Sequence, residues 1–383
     1  MDRRSRRLSG LGTTIFAEMS ALAARTGAVN LGQGFPDTDG PAVVVDAAVR
    51  ALRSGRNQYA PGTGVPELRQ AVAEHQRRWY GIELDPDREV AATTGATEAI
   101  AAAVLGLVDP GDEVVVLEPY YDSYVAVLQM AGAVRRPVTL RAPDFRLPVD
   151  ELRAAVSDRT TTILLNTPHN PTGSVLTRDE LEAVAAVARE HDLVVVSDEV
   201  YEHLTYDVEH VPIATLPGMR ERTLTISSGG KTFSFTGWKI GWASGPADLV
   251  DAMLGAKQFL TYTSGSPLQP AIADALRLGD DYFDDFRSGM RARRDQLCEG
   301  LASVGLDVHV PDGTYFATTD IRPLGLEDGV EFCWSLPERA GVAAIPHQVF
   351  HDDDGGRSLV RWAFCKKPEV IDEGITRLRR AFA

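Results

Sequence analysis

The sequence is short of cysteine. Cys298, Cys333 and Cys365 are the only three in 383 residues, unevenly spaced and without a Cys-x-x-Cys pair. A disulfide framework or a zinc site has no basis here, and a reducing, cytoplasmic compartment fits. Positive charge is also scarce, since 39 Lys and Arg against 54 Asp and Glu leave a net charge of −15. Nucleic acids and anionic membranes both call for basic surfaces, so neither is expected as a partner. No stretch approaches the ~20 apolar residues of a membrane span. The basic opening, Met1-Asp2-Arg3-Arg4-Ser5-Arg6-Arg7, is not followed by an apolar run of signal-peptide length. It reads as a disordered or subunit-contacting arm. Internal repeats and low-complexity linkers are missing too.

What is present is the composition of a soluble globular protein, 44% hydrophobic and 24% charged. The length exceeds what one core usually fills, which predicts two domains sharing a cleft. Helical periodicity runs from Thr13 to Arg25, through Ile15, Phe16, Met19 and Leu22. Val29-Asn30-Leu31-Gly32-Gln33-Gly34-Phe35-Pro36-Asp37 follows, a glycine-punctuated turn that exposes backbone N–H groups or merely connects. Gly32-x-Gly34 lacks the third glycine of a dinucleotide fingerprint, which argues against a nicotinamide dehydrogenase.

After helices at Ala42 to Leu52 and Pro66 to Tyr80, strands and helices alternate. The strand Glu89 to Thr94 ends in Gly95-Ala96-Thr97-Glu98 and opens an alanine-rich helix, where free N–H groups and the helix dipole favour a phosphate. The strand Asp112 to Leu117 ends at the aromatic cluster Tyr120-Tyr121-Asp122-Ser123-Tyr124, a place where one ring can face a flat ligand or simply pack. The strand Thr161 to Leu165 leads into the stiff polar loop Asn166 to Gly173. The apolar strand Leu193 to Val196 runs into Ser197-Asp198-Glu199-Val200-Tyr201. A carboxylate there needs a partner, a protonated ring nitrogen or the next helix's N–H groups. The long helix Asp280 to Leu301 carries Arg287, Arg291, Arg293 and Arg294, read as a solvated face. In the C-terminal part, Arg361 interrupts the apolar run Leu359 to Phe364 and should face a carboxylate, from a salt bridge or from a ligand.

The stretch that organises the chain is Ser227-Ser228-Gly229-Gly230-Lys231-Thr232, continuing to Trp238-Lys239-Ile240-Gly241-Trp242. A surface lysine sits badly among such apolar flanks. A nucleotide loop needs Gly-x-x-x-x-Gly-Lys-Ser/Thr, and Thr225 stands at its first glycine. The remaining reading is a Schiff-base lysine for pyridoxal phosphate, tuned by burial and by neighbouring cations, with Lys239 on the phosphate.

Five motifs in this order, Asn-Leu-Gly-Gln-Gly-Phe-Pro-Asp, Asn-Gln-Tyr, Pro-His-Asn-Pro-Thr-Gly, Asp-Glu-Val-Tyr and Ser-x-x-Lys-Thr-Phe-x-x-Thr-Gly-Trp-Lys, resemble the class I/II aminotransferases of pyridoxal-phosphate fold type I. The likeness covers almost the whole chain. It is greatest to the kynurenine/glutamine/methionine branch and to N-succinyldiaminopimelate aminotransferases, the latter through Thr14 to Leu22 and Tyr201-Glu202-His203-Leu204. It implies an α/β fold with a large domain, built on a mostly parallel seven-stranded sheet flanked by helices, and a smaller α+β domain. The expected division is an arm and part of the small domain over 1–45, the large domain over 46–285 and the rest of the small domain over 286–383.

The resemblance also implies roles. Lys231 holds the cofactor and shuttles the proton between Cα and C4′. Asp198 pairs with the ring nitrogen, Asn170 and Tyr201 bond the phenolic oxygen, and Tyr121 stacks. Ala96, Thr97, Ser228 and Lys239 surround the phosphate. Tyr59 reaches the neighbouring subunit's phosphate, which makes a homodimer part of the site. Arg361 clamps the substrate α-carboxylate, with Asn170 and the backbone of Gly34. Tyr262, Thr263, Tyr315, His347 and the Phe16 region are expected to line the side-chain pocket, with His347 either on the surface or reading substrate. The implied reaction is ping-pong transfer of an amino group between an L-amino acid and a 2-oxo acid such as 2-oxoglutarate. The donor is N-succinyl-LL-diaminopimelate, glutamine, methionine or an aromatic amino acid. A lyase, cyclase or oxidase would keep the same cofactor residues, so that alternative stays open. A regulator on this fold carries a DNA-binding domain ahead of it, and with ten residues before Leu11 that reading is not expected.

Overall fold

The computed structural model describes residues 5–382, so the first four residues of the basic opening, and Ala383, lie outside the described residues. Of that opening, Arg6–Leu8 form a 3-10 turn. Gln129 Nε2 donates to the Arg7 and Ser9 carbonyls (3.1 and 2.8 Å), docking this part on its own chain.

The mostly parallel seven-stranded sheet forms as expected. In spatial order its strands are Val90–Thr93, Gly241–Ser244, Thr223–Ser228, Val194–Asp198, Thr160–Asn166, Glu113–Glu118 and Val134–Thr139. Gly241–Ser244 runs antiparallel to both neighbours, and every other adjacent pair is parallel. Alternate residues divide between two faces, as the two-residue repeat of a strand requires. Val114, Val116, Leu164, Val196, Leu224 and Ile226 pack with the helices Gly95–Leu107, Asp122–Ala131 and Ala247–Leu260. Val115, Leu117, Ile163, Leu165 and Val195 face the other way, against Val149–Ala155 and Arg178–Glu190. Burial on both faces explains why these strands read as continuous apolar runs.

Among the elements that were not expected are a helix and an edge strand of this sheet layer. The helix Asp122–Ala131 buries Tyr124, Val127, Leu128 and Ala131, a helical spacing masked by the aromatic cluster at its start. The strand Val134–Thr139 contains Arg135, Arg136 and Pro137, which break any apolar pattern; as an edge strand it tolerates them.

The C-terminal part holds an antiparallel sheet ordered Ile345–Pro346, Leu359–Ala363, Phe316–Asp320, Asp307–His309. Val29–Asn30 pairs with Val342–Ala343 and ties the N-terminal segment to it. On the helix Asp280–Ala302, Arg291 is exposed, but the solvated-face reading fails at Arg294. Arg294 is buried, pairs with Asp207 (3.2 Å) and lies 4.9 Å over the Tyr206 ring, because its place in the helical turn faces the core. The three cysteines are free and buried, and no helix among the described residues is long and apolar enough to cross a membrane.

Helices Gly95–Leu107 and Ala247–Leu260 touch backbone to backbone at Gly106, where an added Cβ would lie 2.3 Å from the Ala252 carbonyl oxygen. Gly106→Ala must push the helices apart and is expected to cost about 1–3 kcal/mol. The check is the thermal midpoint of the apoprotein, which should fall; an unchanged midpoint would mean that this contact yields freely.

Candidate active site

Five strands end at one edge of the large sheet, the place where open α/β sheets gather ligands. Each end delivers a polar or aromatic group. Val90–Thr93 leads to Ala96 and Thr97, Glu113–Glu118 to Tyr121, and Thr160–Asn166 to Asn170. Val194–Asp198 ends in Asp198 itself and continues to Tyr201, and Thr223–Ser228 ends in Ser228, one short turn before Lys231. Lys239 comes from the loop that enters Gly241–Ser244, Arg361 from the smaller sheet and Gly34 from the N-terminal turn. All of these line one cavity of about 570 Å³.

Of the residues expected to hold the cofactor and the α-carboxylate, Tyr59 alone does not line this cavity. It is 81% exposed, with its ring edge-on to Tyr262 at 5.5 Å. Of the expected pocket residues, Phe16 lines the cavity and Tyr262, Thr263, Tyr315 and His347 do not. His347 is neither on the surface nor at the cavity. It is fully buried beside Phe145 and Phe350, with Nε2 2.9 Å from Thr318 Oγ1, because the short strand Ile345–Pro346 feeds it into the core.

Lys231 Nζ donates to the Tyr315 hydroxyl (2.9 Å), which in turn donates to the Gly34 carbonyl (2.6 Å). The Tyr201 and Tyr315 rings flank the amine at 5.5 and 5.4 Å. Burial presses the ammonium down to about 8, partly offset by Asp198. Asp198 accepts from the Tyr124 hydroxyl at Oδ2 (2.7 Å) and from the Val200 N–H at Oδ1 (3.3 Å). Burial nevertheless lifts its carboxyl to about 6.

The Arg361 guanidinium lies between Phe316 (3.9 Å), Phe16 (5.0 Å) and Phe350 (5.3 Å). It donates to Asn170 Oδ1 (2.9 Å) and the Gly32 carbonyl (3.0 Å), while its buried Nε has no partner. Among the described residues no carboxylate pairs with it, so the salt-bridge alternative is not realised. Near the start of the helix Gly95–Leu107, Lys239 adopts a left-handed φ of 55°, uncommon for a side-chain-bearing residue. This sends Nζ to Thr97 Oγ1 (3.5 Å), over Gly95, where a Cβ would come within 3.2 Å of it.

Three contributors were missed. Tyr124 supports Asp198 from the helix whose start masked its periodicity. Asn166 donates to the Asp198 carbonyl (2.9 Å) and accepts from the Asn170 N–H (2.8 Å). A polar residue closing an apolar strand was its visible signal. Tyr315, expected beside the substrate side chain, instead bonds Lys231, and nothing local ties it to that residue 84 positions away.

The family model for "Aminotransferase class I and II" matches residues 26–378. The chain is 53% identical to the "Probable N-succinyldiaminopimelate aminotransferase DapC" of Mycobacterium tuberculosis over 97% of each chain. It is 40% identical to the methionine aminotransferase of Escherichia coli, over 98% of this chain and 97% of the other. The solved structure of N-succinyldiaminopimelate aminotransferase from Mycobacterium tuberculosis superposes with a TM-score of 0.97, at 53% identity, covering 99% of this chain and 100% of that one.

The lowered pKa of Lys231 makes its free amine dominant above about pH 8 rather than above the usual 10.5. In the apoprotein, reductive methylation with formaldehyde, followed by peptide mapping, should show Lys231 modification rising with a midpoint near pH 8. A midpoint at the ordinary lysine value would contradict the burial argument.

Proposed function

The chain belongs to the class I and II aminotransferases, a family dependent on pyridoxal 5′-phosphate, and we propose on that premise that Lys231, Asp198 and Arg361 carry its transamination chemistry. The observation that supports this most is that an amine, a carboxylate and a guanidinium open into one cavity, where the guanidinium keeps a buried N–H without a protein partner.

The residues fit the cofactor. Asp198 is a carboxylate that burial holds high, and a protonated ring nitrogen would be a favourable partner for it. Asn170 spends its amide oxygen on Arg361 and keeps its NH₂ to donate, with Tyr201, to a phenolic oxygen. Tyr121 would lie against the ring. The N–H groups of Ala96 and Thr97 at a helix start, together with Ser228 and Lys239, would hold the phosphate. Bound there, pyridoxal phosphate supplies the electron sink that makes removal of the substrate Cα proton accessible.

Everything else falls to the protein. Arg361, with Asn170 and the Gly34 backbone, takes the α-carboxylate and so fixes which Cα bond faces the amine. Lys231 Nζ accepts the proton from Cα and returns it at C4′; a pKa of about 8 suits both directions near neutral pH. Tyr315 holds that amine at the wall through its hydroxyl, itself anchored on Gly34. The phenylalanines around Arg361 exclude water and strengthen its grip.

The proposal extends to substrate and assembly. The amino donor is N-succinyl-LL-diaminopimelate, exchanged with the glutamate/2-oxoglutarate pair, and glutamine, methionine and aromatic amino acids are secondary donors. The 53% identity to the mycobacterial relative of that name supports the first choice, and the similarity to the methionine enzyme supports the others. The active unit is a cytoplasmic homodimer in which Tyr59 reaches the other subunit's phosphate. In support, Tyr59 and Tyr262 (50%) form an exposed aromatic pair, and Phe259 is 84% exposed.

The test is spectroscopic. The holoenzyme should absorb near ~420 nm, shift to ~330 nm with a competent amino donor and return with a 2-oxo acid. No shift with any of the named donors would overturn the substrate reading. Steady-state kinetics should give parallel double-reciprocal lines. Arg361→Lys should lower kcat/KM by roughly ten- to a hundredfold, the worth of a charged hydrogen bond. Tyr315→Phe should lower kcat more than it raises KM; a change confined to KM would place Tyr315 on the substrate instead.

A further inference from the structure

One carboxylate in the cavity has no role in the chemistry above. Asp122 follows Tyr121 at the first position of the helix Asp122–Ala131 and lines the same cavity as Arg361. An acid there ordinarily serves the helix dipole from the solvent side. Asp122 is instead half-buried, and that burial raises its carboxyl above the usual range. The neighbouring Ser123 N–H and the Arg361 charge offset that rise only in part. Among the described residues it forms no ion pair, and Arg361 acts on it only through longer-range attraction. A desolvated carboxylate with spare acceptor positions facing a substrate cavity is costly unless something in that cavity donates to it.

The other charges do not supply that donor. Lys231, Lys239 and Arg361 are the cavity's cations, and each already serves the proton, the phosphate or the α-carboxylate. The cavity wall that includes Asp122 also holds the uncharged polar Thr14, Gln33 and Ser123 and the apolar Phe16 and Phe316. A side chain reaching this wall would lay an apolar stem on the phenylalanines and end beside an acceptor. The distal carboxylate of glutamate or 2-oxoglutarate would have to turn away from Asp122, whereas the amide N–H in the side chain of N-succinyl-LL-diaminopimelate could donate to it.

We propose that Asp122 is a specificity-determining residue that accepts a hydrogen bond from an N–H group on the substrate side chain, selecting donors that carry an amide or ammonium nitrogen. The inference rests on the aminotransferase assignment of this cavity and adds the chemical class of side chain that it reads. Loss of such an acceptor penalises the N–H-bearing substrate and spares a shape-matched one, since only the former leaves a polar group unpaired.

L-glutamine and L-methionine are matched probes, similar in length but differing in a terminal NH₂. The half-reaction of the holoenzyme with each is followed by absorbance, yielding a saturation constant and a maximal rate. In Asp122→Leu the ratio of kcat/KM for glutamine over methionine should fall on the order of tenfold, mostly through the saturation constant. Asp122→Asn keeps an acceptor oxygen and the side-chain shape, so its ratio should fall less, and it serves if the leucine variant folds poorly. If both substrates lose equally in both variants, Asp122 is a counter-charge for Arg361 and the proposal is overturned. If neither ratio nor rates change, Asp122 serves only its helix, which also overturns it. Absence of any spectral change with either amino acid in the unsubstituted holoenzyme would count against the donor range proposed above, and the specificity inference would fall with it.

Discussion

Burying charge without a matching countercharge is the constraint on which this molecule depends. Arg361 is enclosed by three phenylalanine rings and offered only two neutral acceptors, so its Nε has nothing to bond. Asp198 sits at the end of a buried strand with neutral donors and a distant lysine. Lys231 is pressed toward its neutral form. Each arrangement costs stability in the free protein. Each would be relieved by a ligand carrying a carboxylate, a protonated ring and a carbonyl carbon open to an amine. Binding and catalysis thus draw on the same unfavourable terms that the fold has to offset.

The offset comes from the sheet. Its central strands are buried on both faces, so the apolar layers hold the strand ends in register to the cavity's edge. Close backbone approach does the finer positioning. A Cβ on Gly241 would lie 2.6 Å from the Gly95 carbonyl carbon, so the strand that follows Lys239 lies directly against the start of the helix Gly95–Leu107. A buried network stands behind Tyr201. Glu202 accepts from Ser227 (2.6 Å) and Tyr80 (2.9 Å), while His75 and His203 meet through Nε2 at 2.7 Å. It ties the Asp198–Tyr201 turn to the strand that carries Lys231.

Much of the site could be read along the chain because strand ends are local. Asp198 after Leu193 to Val196, Lys231 after a Ser-Ser-Gly-Gly run and the Gly95-Ala96-Thr97 helix start each announce themselves within a few residues. All three open into the cavity. Arg361 was conspicuous for the same reason, as a charge inside an apolar run. The misreadings have a common cause. His347, Arg294 and Tyr315 are single polar or aromatic residues whose surroundings come from distant segments. The histidine entered the core, the arginine found Asp207 and the tyrosine found Lys231.

The sequence by itself determined the class of fold, the cofactor chemistry and the residues at the strand ends. Periodicity, turn chemistry and motif order are encoded over short windows, and a two-residue repeat or a helix start needs no distant partner to be recognised. Only the tertiary structure decided which of those residues face one another. It put Tyr315 on Lys231 and Tyr124 on Asp198, left Arg361 with an unfilled bond, and turned Asp122 into the cavity instead of toward water. Those outcomes depend on the packing angles of a second sheet and a helix against the strand edge. Such angles come from contacts spread over the whole chain, and no local window contains them.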